Sequence, residues 1–393
     1  MLALPIITGP GGFGPSMLLF VFAWLFMTTT GFLLMEANLT LGYNLSLVSI
    51  AEKTLGSVGK FLAWILFIFL FYSLSIAYIA ASGSILQAII LDITGIYWPQ
   101  WLGSLLFTLI FGFILLIGTR HVDYANRVLM LGLVISYLIL IFLGSQHVDF
   151  DNLIRTGWRY AFASLPILVV SFGFHNMIPS LAMYFEGDVK RLRITLFVGS
   201  LIPLLVYFLW QFVMLGIIPT EEILPAIRNG EAATSILRIV VGKSWINTVA
   251  QSFALFAIVT SFLAQSLSLV DFLADGLKVP KVGLGRVLLV ILTLAPPFLL
   301  AFLYPTIFLR ALNLAGGISA VILFGVMPAV MVFVLRYKRK MASSSFLPAG
   351  RFLLILVLII ALSIFALELA EELGWSLIPK QLESLNESVI LHD

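Results

Sequence analysis

Ten stretches of the chain contain no Asp, Glu, Lys or Arg: residues 1–35, 61–91, 93–119, 128–148, 160–185, 194–220, 244–270, 287–309, 311–335 and 352–367. A bilayer core is crossed by about 20 apolar residues in a helix, with a lower limit near ~17. Nine of the ten stretches meet that limit, and the last reaches it by running past Glu368 to Leu373. The pattern predicts an all-α polytopic membrane protein. The first stretch is interrupted at Gly9-Pro10-Gly11-Gly12-Phe13-Gly14-Pro15, a run that breaks a helix. A full helix is therefore expected from about Ser16 to Asn38, after a fragment from Met1 to Thr8. Eight helical residues rise only about 12 Å, so the fragment does not span. Numbering it segment 1, ten full segments follow as 2 to 11.

Composition agrees. Hydrophobic residues make up 61% of the 393 and charged residues 10%, against about 25% charged in soluble domains. The 33 Phe and 8 Trp need lipid or a packed interior around them. A net charge of +3 is too weak to imply a nucleic-acid partner; membrane lipid is the partner this surface requires. The absence of Cys removes disulfides, thiolate metal sites and a thiol nucleophile. Fifteen Lys and Arg follow segments 2, 4, 6, 8 and 10, against seven on the other side, which places those fifteen in the cytoplasm. No basic region precedes the first apolar run, so no cleavable signal peptide is read. Glycosylation triplets at Asn38, Asn44 and Asn386 read as chance matches. The loop 219–243 and the polar tail 374–393 are too small to be domains, which leaves one transmembrane domain over 1–373.

Two interruptions occupy matching places in the two halves. Leu4-Pro5 lies in the stub, and Ile178-Pro179 follows Ser171-Phe172-Gly173-Phe174-His175-Asn176 in segment 6. An unusually long segment comes later in each half, Gly59–Leu91 and Ser244–Leu277. This supports a five-plus-five inverted repeat, repeat one about 1–148 and repeat two about 160–335, with an extra helix at about 350–373. Interrupted segments in corresponding halves point to a binding site near the bilayer midplane. Glycine and proline also serve as packing and kink devices in membrane helices, so both readings stand at this point.

The residues then become recognisable. Met1-Leu2-Ala3-Leu4-Pro5 resembles the end of the Gly-Ala-Gly-Met-Leu-Ala-Leu-Pro motif of the hydroxy and aromatic amino acid permeases. Further matches, in order, are Gly118-Thr119 with Asn126-Arg127, Ser171-Phe172-Gly173-Phe174-His175 with Ile178-Pro179-Ser180, and Trp210-Gln211. Ser261-Phe262-Leu263 with Asp271-Phe272-Leu273-Ala274-Asp275, and Tyr304-Pro305, complete the set. The similarity runs from Met1 to about Leu373 and is greatest to the tyrosine- and tryptophan-specific branch. It implies a LeuT-type fold and proton-coupled import of tyrosine or tryptophan across a bacterial inner membrane, with no cofactor beyond the coupling ion.

Physical chemistry is compatible with that implication. A buried zwitterion needs partners for both charges, and a broken helix supplies unpaired N–H and C=O groups with the matching dipole ends. Met1, Leu2 and Ala3 carry the matched motif of one break, and Gly173 marks the other. Phe172 and Phe174 are expected to offer ring contacts. Tyr78, Ser82 and Gly83 in segment 3, and Thr260, Ser261 and Gln265 in segment 8, are candidate lining residues, with helix packing as the competing role. His175, Asp271 and Glu36 are the proton-coupling candidates. His175 has the reference pKa nearest neutrality, ~6.5, while Glu36 and Asp271 are placed at solvated helix ends. Gln211 is expected to be a helix-bridging amide. No metal site is read, although sodium coupling through Thr260 and Ser261 stays open. The Gly-Ala-Gly of the motif has no counterpart before Met1, so the first half of segment 1 is expected to be missing, through a late-assigned start or a truncated, inactive copy. Competing readings are a sodium-coupled neutral amino acid carrier, a passive channel and a membrane enzyme. The last lacks paired carboxylates, a histidine cluster or a Ser–His dyad at membrane depth.

Overall fold

The computed structural model describes residues 1–43, 45–235, 244–341 and 350–373. The tail 374–393 and the triplets at Asn44 and Asn386 lie outside the described residues. Ten spans are long and apolar enough to cross a membrane among the described residues, the first Phe13–Leu41 and the last Arg351–Glu372. All are helical, as expected from the charge-free stretches.

The chain opens with α1 (Leu4–Thr8) and a short 3-10 turn, Gly9–Gly11, before α2 (Phe13–Leu41). The interruption is narrower than the seven-residue run predicted. Pro10 lies in the first turn of the 3-10 segment and Pro15 in the first turn of α2, where a missing N–H removes no helical bond. Gly12 separates the two, with φ of 77°, a conformation that a Cβ disfavours. The Ser16 hydroxyl lies 2.6 Å from the Gly12 carbonyl and 3.0 Å from that of Thr8, tying the two helices together.

After α2 come α3 (Leu47–Thr94), kinked at Gly56, α4 (Gln100–Ile117) and α5 (Thr119–Gly144). Short helices α6 (Phe150–Ile154) and α7 (Trp158–Ala161) lead to α8 (Leu165–Ser171) and α9 (Ile178–Tyr184). Then follow α10 (Val189–Ile217), α11 (Thr220–Asn229), α12 (Ser244–Leu277) and α13 (Gly283–Leu303). α14 (Phe308–Leu314) continues through a π-helical stretch, Ala315–Val326, into α15 (Met327–Phe333) and a second π turn, Val334–Lys338. α16 (Arg351–Glu372) closes the described chain.

The helices form two compact units. Of the described residues, the first comprises Met1–Ile6, Ile68–Leu153 and those within 209–315; the second comprises those within 7–67, Ile154–Phe208 and those from Gly316 to 373. Within the first, α12 packs along α5 and α13, and α13 packs along α4. Its core holds Phe107 and Phe262, with ring centres 4.9 Å apart. The Arg286 guanidinium donates to the Leu115 carbonyl at 2.7 and 3.0 Å, covering an acceptor that the end of α4 leaves without a helical partner. The Tyr72 hydroxyl donates to the Leu292 carbonyl at 2.8 Å.

Within the second unit, α2 is the central strut, packed against α8, α9 and α15, with α16 behind α15. Trp24 Nε1 donates to Ser200 Oγ at 3.1 Å, and Thr28 lies 3.2 Å from the same hydroxyl. The polar atoms of α2 thus face protein, and Leu18 and Leu25 point outward from it.

Candidate functional site

The break in the fifth span lies wholly in the second unit. α8 ends at Ser171, residues 172–174 are not helical, and a 3-10 turn, His175–Met177, restarts the chain into α9. Pro166 and Pro179 each stand in the first turn of their half-helix, where proline is tolerated. The break is therefore confined to Phe172-Gly173-Phe174. Gly173 donates back to the Val170 carbonyl at 3.1 Å, and its own backbone is exposed. The Tyr207 hydroxyl donates to the Ser171 carbonyl at 3.2 Å, so one carbonyl at the end of α8 has an external donor.

The two phenylalanines beside Gly173 go to different clusters. Phe172 is buried with Phe20 and Tyr207, at ring-centre distances of 6.1 and 5.4 Å. Phe174 crosses α2 at Gly31, where a Cβ would stand 2.8 Å from its Cζ. His175 is layered between Phe174, at 5.2 Å and 29°, and Phe324 of the π-helical stretch, at 4.7 Å and 12°. Its Nε2 lies 2.9 Å from Thr30 Oγ1, while Nδ1 is buried with no hydrogen-bond partner among the described residues.

Apart from Glu36, the other sequence-predicted residues fall in the first unit. Leu2 and Ala3 are buried. The Met1 carbonyl accepts from Trp210 Nε1 at 3.1 Å, and that of Leu2 from the Ala233 N–H at 3.0 Å. Tyr78 is hydrogen-bonded to Ser261, joining α3 to α12. Gln265 makes the same crossing, donating to the Phe71 carbonyl at 2.7 Å and pairing with Ser75 at 3.0 Å. Ser82 and Thr260 instead turn their hydroxyls back on their own helices, to Ile79 and Phe256 at 2.8 Å each. Gly83 lets α4 approach closely: a Cβ at Gly103 would stand 2.7 Å from the Gly83 carbonyl. Gln211 is fully buried on α10.

Glu36 requires a correction. The sequence placed it at a solvated helix end, yet it lies inside α2 and is 1% exposed. The Arg336 guanidinium grips it with both arms, Nε to Oε1 at 2.6 Å and Nη2 on Oε2. Such a fork satisfies a buried carboxylate far better than a single contact. Asp271 does sit near the end of α12, half-exposed and 2.9 Å from Lys281.

Two ionisable residues went unnoticed in the sequence. Arg336 counted only as a cytoplasmic flank, because its partner lies 300 positions away. Glu368 was used only to extend the last span. It is buried on α16 against Gly317, where a Cβ would meet the carboxylate side chain. An acid directly after sixteen uncharged residues of a span, 352–367, was the available signal.

The model of the tryptophan/tyrosine permease family matches residues 1–368. The chain belongs to that family. It is 32% identical over 385 residues to the tyrosine-specific transport system 1 of Haemophilus influenzae, covering 95% of this chain and 94% of that protein. A tryptophan-specific transport protein of the same organism is 30% identical, with 95% and 93% covered. One from Pseudomonas aeruginosa is also 30% identical, with 95% and 92% covered. This permease is a multi-pass inner-membrane carrier and not an enzyme.

Proposed function

We propose that this permease imports an aromatic amino acid, tyrosine or tryptophan, by symport with protons. Its relatives are named for tyrosine- and tryptophan-specific transport. The observation that carries the reading is the helix break at Phe172–Phe174 among aromatic rings. A break of this kind exposes backbone donors and acceptors to the carboxylate and ammonium of a zwitterion. Met1, Leu2 and Ala3, the Tyr78–Ser261 pair, Ser82, Thr260 and Gln265 remain the candidate contacts in the first unit, and Phe172 to His175 those in the second.

The finer architecture is proposed with it: a single transmembrane domain with five-plus-five inverted helices and an eleventh helix appended. In support, each compact unit draws a long stretch from each half of the chain, 68–153 with 209–315 and 7–67 with 154–208. The long helices α3 and α12 also occupy corresponding places.

Glu36 beside Arg336, Asp271 beside Lys281 and His175, whose Nδ1 has no hydrogen-bond partner among the described residues, all remain proton candidates in this reading. Uptake of labelled tyrosine and tryptophan, each competing with the other, tests the reading with and without a protonophore and with sodium replaced by choline. Accumulation above equilibrium that collapses with the protonophore and ignores sodium is expected. Uptake that follows sodium, or that merely equilibrates, rejects proton symport.

A further inference from the structure

Thr30 has one hydroxyl hydrogen. Its position in α2 directs that hydrogen to the Met27 carbonyl one turn back, 3.1 Å away, as threonine in a helix commonly does. His175 Nε2 lies 2.9 Å from the same oxygen, so the imidazole donates there and carries its hydrogen on Nε2. Nδ1 is then a bare acceptor, buried and unmatched among the described residues. An unmet buried acceptor is destabilising, and one that persists calls for a partner arriving from outside. The surroundings leave one route for such an arrival. The imidazole is layered between buried Phe324 and Phe174, but Phe174 is part-exposed and the backbone two residues away at Gly173 is exposed.

We propose that Nδ1 of His175 accepts a hydrogen bond from the ring of the transported amino acid, and that Thr30 positions it to do so. The inference rests on the function proposed above and names what the site reads. Tyrosine offers a phenol O–H and tryptophan an indole N–H. Phenylalanine offers an equal aromatic face and no donor, so it leaves Nδ1 unmet and is rejected. A site built around a hydrogen bond discriminates against the analogue lacking it far more strongly than a purely apolar pocket does. One nitrogen does not hold a proton and accept a hydrogen bond together. His175 therefore serves the substrate, and the coupled proton travels on another group.

The test measures how well unlabelled phenylalanine competes with labelled tyrosine and tryptophan in cells lacking other aromatic carriers, with membrane abundance checked for each variant. In His175→Leu, phenylalanine is expected to compete at concentrations at least about tenfold lower than in the parent, relative to tyrosine. His175→Asn, whose amide oxygen stands near the Nδ1 position, is expected to keep excluding phenylalanine. Thr30→Val is expected to relax exclusion and Thr30→Ser to retain it. Accumulation in His175→Asn should still collapse with a protonophore. Unchanged exclusion in His175→Leu and Thr30→Val, with tyrosine still transported, overturns this inference alone. Loss of gradient-driven accumulation in His175→Asn with binding intact assigns the proton to His175 and also overturns it. No uptake of either amino acid by the parent overturns the transport reading itself, and this inference with it.

Discussion

The two compact units handle buried polarity in opposite ways. The first is made of continuous helices stitched by side-chain amides and hydroxyls, with Gln265 reaching the Phe71 carbonyl and Ser75, and Tyr78 reaching Ser261. Gln265 and Tyr78 thus find partners one helix away, while Ser82 and Thr260 bond back to their own helices. The second is built around a break, and there the polar groups gather at a few points: the Ser171 carbonyl under Tyr207, His175 on Thr30, and Glu36 in the fork of Arg336. Distributed hydrogen bonding tolerates the loss of any one member. Concentrated bonding around an interruption does not, because each group removed leaves a buried partner exposed to hydrocarbon or to a void.

The contrast yields a graded series, read as thermal unfolding of detergent-purified protein together with uptake. Glu36→Ala should do the greatest damage, about 3–5 kcal/mol, because it leaves the Arg336 charge buried without its carboxylate. Replacing both partners together, with Glu36→Leu and Arg336→Met, should recover most of that loss. A double variant as unstable as the single one would mean that the pair is not an isolated unit. Gly31→Val should come next, at about 1–3 kcal/mol of overpacking. The new side chain occupies the place of the Phe174 ring, so uptake should fall more than stability does. In the first unit, Gln265→Leu should cost about 1–2 kcal/mol, the range for an interhelical hydrogen bond in a membrane. A loss larger than that of Glu36→Ala would reverse the ranking of the two units. Lys281→Ala should change stability by less than about 1 kcal/mol, since both side chains of the pair with Asp271 are about half-exposed and surface pairs are screened.

The sequence made the spans plain, because a run of some twenty uncharged residues has few other uses. It also marked the break at Gly173, through a glycine between two aromatic residues with a proline downstream. The width of the first interruption was overestimated. A run of seven residues, six of them Gly or Pro, reads as incompatible with helix, yet the two prolines fall at helix starts, where they do no harm. The direction of individual side chains was not legible. Phe172 and Phe174 are neighbours in a motif, and only the three-dimensional path of residues 172–174 sends one toward Tyr207 and the other across Gly31. The ion pair of Glu36 was hidden for a different reason. Each member reads as an ordinary charge near the end of its own segment, and 300 residues separate them.

Thr30 and Gly31 stand side by side on α2, and their surroundings constrain them in unlike ways. The first needs a hydroxyl of a particular reach, and the second needs nothing at all beyond its Cα. In a library randomised at both codons and selected for growth on limiting tyrosine, position 30 should return Thr and Ser, and position 31 almost solely Gly. A two-residue window of this kind makes α2 a slow-drifting helix on the side that faces the break. Its outward positions, Leu18 and Leu25, should exchange freely among apolar residues. The rate at which each residue of a single helix accepts change would then trace the outline of the site along its surface.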